Sequence, residues 1–120
     1  MAYGTSFKGE LKFITELTPD QLAKVELFLT DDCYDHPEWE AIDDWLCVDL
    51  EFLPNYSGLK WNNGEKTYGM VEVVNMIIRN MRKTMPEFGF TGKFLAQGED
   101  INDRWELVIE NGYAVKKVLS

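Results

Sequence analysis

The dipeptide Asn111-Gly112, which separates two runs of alternating apolar and polar residues, is the feature that most constrains the fold of this chain. A type I′ turn needs a positive φ at both central residues, and Asn followed by Gly adopts that geometry readily. Trp105, Leu107 and Ile109 share one face of the run before the turn, and residues 113–118 alternate after it. We therefore predict a β-hairpin over this part of the sequence.

Two other stretches carry the signals of α-helices. The tetrapeptide Thr18-Pro19-Asp20-Gln21 supplies an N-cap, a proline at the first helical position and the second half of a capping box. It predicts a helix that ends near Thr30. Apolar residues recur at helical spacing over residues 67–84, and Pro86 prevents further extension. A second, longer helix is predicted there.

The remaining pattern predicts four further strands, at residues 7–13, 47–53, 59–61 and 88–96. A short helix with Trp39, Ile42 and Leu46 on its buried side is predicted before the second strand. The element order indicates one α+β domain over residues 1–120, with a mostly antiparallel sheet and two main helices on one face. Its arrangement is that of a ferredoxin-like split β-α-β fold with an added C-terminal hairpin. The other sheet face is expected to be charged, with mixed sign, through Lys8, Glu10, Lys12, Asp49, Glu51, Lys93, Arg104 and Glu106.

Negative charge is concentrated in one third of the sequence. The net charge is −9, yet residues 25–59 hold ten carboxylates and no Lys or Arg, and the rest holds eleven acids against twelve bases. A fixed array of carboxylates imitates the phosphates of a nucleic acid, so it can occupy a basic groove of a partner protein. Aromatic residues among the acids would serve as anchors. The predicted partner-binding residues are Asp31, Asp32, Asp35, Glu38, Trp39, Glu40, Asp43, Asp44, Asp49 and Glu51.

The same window does not have the pattern of a metal or catalytic site. Its acids lack the spacing and central glycine of an EF-hand, and with a single His in the sequence there is no second imidazole for zinc. Cys33 and His36 are the nucleophile and base closest in sequence, but the carboxylates around the thiol oppose formation of the thiolate. Glycine-rich phosphate-binding motifs are absent as well. We predict no metal, no cofactor and no enzymatic activity.

The sequence also bears on location. It contains no apolar run of the ~18 residues that span a bilayer, and its start lacks the pattern of a signal peptide. Cys33 and Cys47 are interpreted as free thiols in a reducing cytoplasm. The clustered acids argue against direct binding to nucleic acid or to an anionic membrane. We therefore expect a cytoplasmic protein whose oligomeric state the sequence leaves open.

Three other interpretations remain at this point. The acidic window is also consistent with a solvated surface that keeps the protein soluble, with Trp39 and Trp45 in the core. A small-ligand module is a second alternative, in which residues 97–105 bind a nucleotide through Arg104 and Trp105, with Lys66 or Lys93 as anion partners. The third is a structural or assembly component that pairs through residues 113–118, where Lys116 and Lys117 would protect against uncontrolled pairing.

Two stretches carry a resemblance, namely Trp61-Asn62-Asn63-Gly64-Glu65-Lys66-Thr67-Tyr68 and the segment from Gly92 to Trp105. They resemble small proteins of unknown function encoded by bacteriophages and prophages, over residues 59–110. The resemblance implies no catalytic residues. It implies a setting, because small acidic phage proteins often bind and block host defence systems, including CRISPR effectors and restriction enzymes. On this basis the expected function is that of a phage-type inhibitor in the host cell cytoplasm.

Overall fold

The computed structural model describes residues 5–30, 48–64, 69–98 and 102–119. In these residues six strands form one antiparallel sheet and two helices accompany it, so the predicted α+β class is confirmed. The short helix predicted around Trp39 falls outside the described residues. In chain order the elements are β1 (Ser6–Phe13), α1 (Pro19–Thr30), β2 (Leu50–Phe52), β3 (Gly58–Trp61), α2 (Met70–Arg82), β4 (Phe90–Gln97), β5 (Arg104–Glu110) and β6 (Tyr113–Val118).

The strands lie in the order β2-β3-β1-β4-β5-β6, and every neighbouring pair is antiparallel. Strand β3 lies between β1 and β2, and β1 lies between β3 and β4, so each helical connection crosses one intervening strand. The last two strands extend the sheet beyond β4, and β2 and β6 form its two edges. The more detailed ferredoxin-like assignment stays a prediction.

The register defines two ends of the sheet. At one end, which we call the Phe7 end, Ser6 pairs with Gln97, Gln97 with Arg104 and Leu50 with Trp61. Rings meet edge to face there, with the Phe7 centroid 5.8 Å from that of Trp61 and 5.7 Å from that of Trp105. The opposite end, called the Ile14 end, holds the last residue of β1 and the turn between β5 and β6.

The local signals of the sequence are present as hydrogen bonds and dihedral angles. The Thr18 amide donates to Gln21 Oε1 (2.8 Å) and the Gln21 amide donates to Thr18 Oγ1 (3.2 Å), which is the predicted capping box. Asn111 and Gly112 have φ values of 53° and 85°, as a type I′ turn requires. Helix α2 ends at Arg82, short of the predicted residue 84, because the chain turns there toward Pro86.

The core lies on one face of the sheet, between the strands and both helices. Leu11, Phe94 and Leu107 from three neighbouring strands are fully buried against Val25 and Phe28 of α1 and the apolar side of α2. The alternate residues of β1 and most of those of β4 are exposed, so the helices cover only one face. One polar side chain is buried with them. Asn80 donates from Nδ2 to the Met76 carbonyl (2.9 Å), while its Oδ1 has no partner within the described residues.

Strand β3 passes very close to β1 at Gly58. The residue pairs with Lys12, and a Cβ at this position would overlap the Leu11 carbonyl oxygen and lie 2.7 Å from the Lys12 Cα. Only glycine allows the two backbones to approach this closely. Since β2 is hydrogen-bonded to β3 alone, this contact also attaches the β2 edge to the sheet.

Candidate functional site

Two of the predicted partner-binding residues, Asp49 and Glu51, lie in the part of the chain that the structure describes. They flank the buried Leu50, so both side chains are on the face of β2 away from the core. Asp49 is half-buried and its carbonyl accepts the Asn62 amide (3.1 Å). Glu51 is exposed, 4.0 Å from the Lys60 ammonium. The other predicted residues fall outside the described residues, namely Asp31, Asp32, Asp35, Glu38, Trp39, Glu40, Asp43 and Asp44.

The described residues carry no net charge of their own. They contain eleven Asp or Glu and eleven Lys or Arg. Residues 31–47 add seven carboxylates without a single Lys or Arg, and Glu99 and Asp100 add two more. The whole negative charge of the protein therefore belongs to two short segments outside an electrically balanced framework.

Each acidic segment is followed or flanked by described residues at the Phe7 end. Residues 31–47 are followed by Val48, which is only 9 % exposed and comes shortly before the pair of Leu50 with Trp61 at that end. Residues 99–101 are flanked by a bond from the Gly98 amide to the Asp103 carbonyl (2.8 Å), also at the Phe7 end.

The uncovered sheet face is charged with mixed sign, as predicted. Four ion pairs join neighbouring lysines and glutamates across it: Lys12–Glu10 (3.6 Å), Lys60–Glu51 (4.0 Å), Lys93–Glu106 (2.7 Å) and Lys117–Glu110 (2.8 Å). The Glu110 hydrogen bond and charge raise the pKa of Lys117 above its ordinary value of 10.5. Exposed pairs of this kind add little stability, but they leave the face with no concentration of either sign.

Two residues of the predicted nucleotide site, Trp105 and Lys93, are engaged in other contacts. Trp105 is 9 % exposed, packed edge-on against Phe7, and the Lys116 ammonium lies 4.9 Å from its ring centre. Little of its ring is therefore available for a base to stack on. Lys93 is paired with Glu106 (2.7 Å), and Lys66 falls outside the described residues. Within the described residues, the packing does not favour the nucleotide hypothesis.

Contacts of two α2 side chains with the hairpin of β5 and β6 were not predicted. Asn75 of α2 donates from Nδ2 to the Ala114 carbonyl (2.9 Å) and accepts the Ala114 amide at Oδ1 (2.8 Å). Seven residues on, Arg82 donates to the carbonyls of Gly112 (2.9 Å) and Phe88 (2.8 Å). The i, i+7 spacing of these polar residues was the available signal, because it puts both on one side of the helix.

A cleft of about 320 Å³ opens at the Ile14 end. Phe13, Leu17 and Leu22 supply apolar walls, and the polar remainder comes from Thr15, Glu16 and the β2–β3 turn. Tyr56 in this turn is exposed, has a φ of 59° and packs edge-on against Phe52 at 5.3 Å. Asp49 and Glu51, the two predicted site residues that the structure describes, do not line this cleft.

The described residues bring together no group of three or more His, Cys, Asp or Glu side chains that could hold a metal ion. The pair Cys33 and His36 falls outside them. No helix in these residues has the length and apolar composition needed to cross a membrane. Comparison with known proteins gives no match, whether to a family model, a curated protein or a solved structure.

Proposed function

We propose that this protein is a non-catalytic binding protein, a phage-type inhibitor that docks its acidic face, residues 31–51, on a basic surface of a nucleic-acid-handling defence protein such as a CRISPR effector. It would act as a DNA mimic, since its carboxylates would occupy the Lys and Arg residues with which the partner holds phosphates. The proposed setting is the cytoplasm of the host cell. No cofactor takes part.

The observation that carries the proposal is the partition of charge between framework and segment. The described residues balance eleven acids with eleven bases, whereas residues 31–47 hold seven acids and no base. A surface selected for solubility alone intersperses both signs, and the uncovered sheet face has that mixture in its four Lys–Glu pairs. A block of one sign in the sequence, joined to a framework with no net charge, is better suited to orienting the molecule toward a positive partner.

Two of the proposed contact residues, Asp49 and Glu51, are held by the sheet. They come shortly after residues 31–47, and both side chains lie on the face away from the core, Glu51 in β2 and Asp49 directly before it. The backbone of Asp49 is fixed by the Asn62 amide, and Leu50 between the two acids is buried at 2 % exposure. A partner that binds the segment would therefore also meet two carboxylates at defined positions.

Salt dependence is the first test. The partner is captured from a bacterial lysate on immobilised protein, and its affinity is measured at 0.15 M and 1 M salt. Screening shortens the reach of charges from ~8 Å to ~3 Å over this range, so we expect the affinity to fall by at least about tenfold. Duplex DNA should compete with the protein for the same partner. A complex that is insensitive to salt and to DNA would contradict the proposal.

Charge reversal locates the contact. Asp43→Lys/Asp44→Lys reverses two carboxylates of the acidic segment, while Glu16→Lys/Glu87→Lys makes the same change of net charge at two exposed sites of the framework. The first variant should lose most of its binding and the second should keep most of it, because charges close to the partner dominate the interaction. If both variants lost the same affinity, the effect would be due to net charge alone. If the first variant kept its binding, this segment would be excluded as the contact.

A further inference from the structure

We propose that Asn75 and the two lysines of β6 together keep the β6 edge from pairing with the same strand of a second copy of this chain. The proposal concerns the β6 edge, which holds none of the proposed acidic contact residues, so it goes beyond the proposed function and can fail without it.

The outward-facing groups of β6 can be assigned from its hydrogen bonds. Leu119 donates its amide to the Arg104 carbonyl of β5 (3.1 Å), and residues alternate in direction along an antiparallel strand. The backbone amides and carbonyls of residues 113, 115 and 117 therefore point toward β5. Those of Ala114, Lys116 and Val118 point away from the sheet. An exposed row of this kind is a template for another strand.

The side chain of Asn75 bonds the first of these three residues, Ala114. Its side-chain amide bonds both the Ala114 carbonyl (2.9 Å) and the Ala114 amide (2.8 Å), which is the pair of bonds that a neighbouring strand would make. None of the described residues bonds the outward groups of Lys116 and Val118, and both residues are exposed. Asn75 thus substitutes for a seventh strand at one residue of the edge.

Three antiparallel registers would pair β6 with a second copy along most of its length. A two-fold axis at Val115 sets Ala114 against Lys116 of the other copy. An axis at Lys116 sets Lys116 against itself and Ala114 against Val118. An axis at Lys117 sets Lys117 against itself and Lys116 against Val118. Like charges directly opposite each other destabilise a strand pair.

Each register is therefore opposed by at least one of the three side chains. The register centred on Val115 needs the Ala114 groups that Asn75 holds. The register centred on Lys117 is opposed by its lysine pair. The register centred on Lys116, which would use all three outward residues, is opposed by Asn75 and Lys116 together. That register is the longest, so it gives the clearest test.

The test compares Asn75→Ala/Lys116→Thr with Lys116→Thr alone by sedimentation velocity over a range of concentrations. The double variant should shift from monomer to dimer as concentration rises, because both obstacles to the longest register are gone. Lys116→Thr alone and the wild type should remain monomeric. Both variants lose the contact between Lys116 and Trp105, so this loss cancels in the comparison.

A second double variant, Asn75→Ala/Lys116→Pro, separates strand pairing from other association. Proline at position 116 removes an outward amide without removing a bond to β5, and it should restore the monomer. A double variant Asn75→Ala/Lys116→Thr that is folded by circular dichroism and stays monomeric would overturn the proposal. Dimerisation of Asn75→Ala/Lys116→Pro as strong as that of Asn75→Ala/Lys116→Thr would do so as well, because the association would then not use the outward groups of residue 116.

Amide exchange tests the Asn75 contact itself. In the wild type the Ala114 amide should exchange at least about tenfold more slowly than the Lys116 amide, although both point away from β5. In Asn75→Ala the two rates should become similar while the amides of β5 stay protected. An Ala114 amide that exchanges as fast as that of Lys116 in the wild type would contradict the proposal.

Discussion

The two edges of the sheet limit the addition of a further strand in different ways. Strand β2 is three residues long, so it offers few backbone groups for pairing; Glu51 belongs to it and Asp49 directly precedes it. Strand β6 is six residues long, and it carries Lys116 and Lys117 while Asn75 holds Ala114. Short length is one known protection of a sheet edge, and charge or coverage is another. The β2 edge is thus limited by its short length, whereas the longer β6 edge depends on specific side chains.

The largest effect is expected from detaching the β2 edge with Gly58→Ala. A Cβ here overlaps the Leu11 carbonyl oxygen and cannot be accommodated by a side-chain movement, because the neighbouring atoms belong to the backbone. We expect a loss of about 3 kcal/mol or more in the free energy of unfolding. Urea unfolding measures it. In a matched Gly64→Ala variant the nearest atoms to the new Cβ belong to the Asp49 carboxylate, which is a side chain, so the variant should cost less; equal losses would contradict the role of the close approach.

Opening the β6 edge with Asn75→Ala should have a smaller effect. Two hydrogen bonds to Ala114 are lost, but the freed groups lie at an edge that water can reach. We expect a loss of about 1–2 kcal/mol in the free energy of unfolding, measured by the same urea titration. If Asn75→Ala lowered the free energy of unfolding more than Gly58→Ala does, the comparison would be contradicted. The β6 edge would then contribute more to stability than the β2 edge.

A second asparagine of α2 provides the contrast to Asn75. Asn80 is 1 % exposed and its Oδ1 lacks a partner within the described residues. Leucine has nearly the same shape and no unsatisfied group, so Asn80→Leu should raise the free energy of unfolding by about 1 kcal/mol. A thermal melt checks the sign. Destabilisation would mean that Oδ1 is solvated or that the site cannot accept the branched side chain.

The smallest effect is expected for the ion pair between Glu110 of β5 and Lys117 of β6. Glu110 raises the pKa of the exposed Lys117, so the pair contributes stability below the ordinary lysine pKa and loses it as pH rises through the higher, folded-state pKa. Titration of the Lys117 side chain by NMR should give a value above 10.5, and Glu110→Gln should bring it back toward 10.5. An unchanged value in the variant would assign the shift to another cause.

Much of the fold follows from local sequence signals. The Asn111-Gly112 turn and the Thr18–Gln21 capping box are present as predicted, because each depends on residues at most three positions apart. Strand β2 is shorter than predicted, since alternation over residues 47–53 does not reveal how many of them find a partner on β3. The mixed-sign sheet face follows from alternation alone.

The contacts that close the β6 edge could not be predicted with the same rules. Asn75 and Ala114 are 39 positions apart, and whether they meet depends on where α2 lies relative to β6. Similarly, the sequence alone gives Gly58 the interpretation of an ordinary turn residue. Its close approach to β1 is evident only when the two strands are placed side by side. For the candidate site, the sequence predicts the acids and their segregation, while the framework contributes the placement of Asp49 and Glu51.

The bonds from Asn75 and Arg82 also bear on how the protein folds. They join α2 to the hairpin of β5 and β6, and Arg82 adds the Phe88 carbonyl before β4, so residues 70–118 are linked by contacts among themselves. Contacts between residues near in sequence form with a lower entropic cost than distant ones. This half of the chain therefore has what it needs to form a cooperative unit first, on whose exposed β4 edge β1 and then β3 and β2 can assemble.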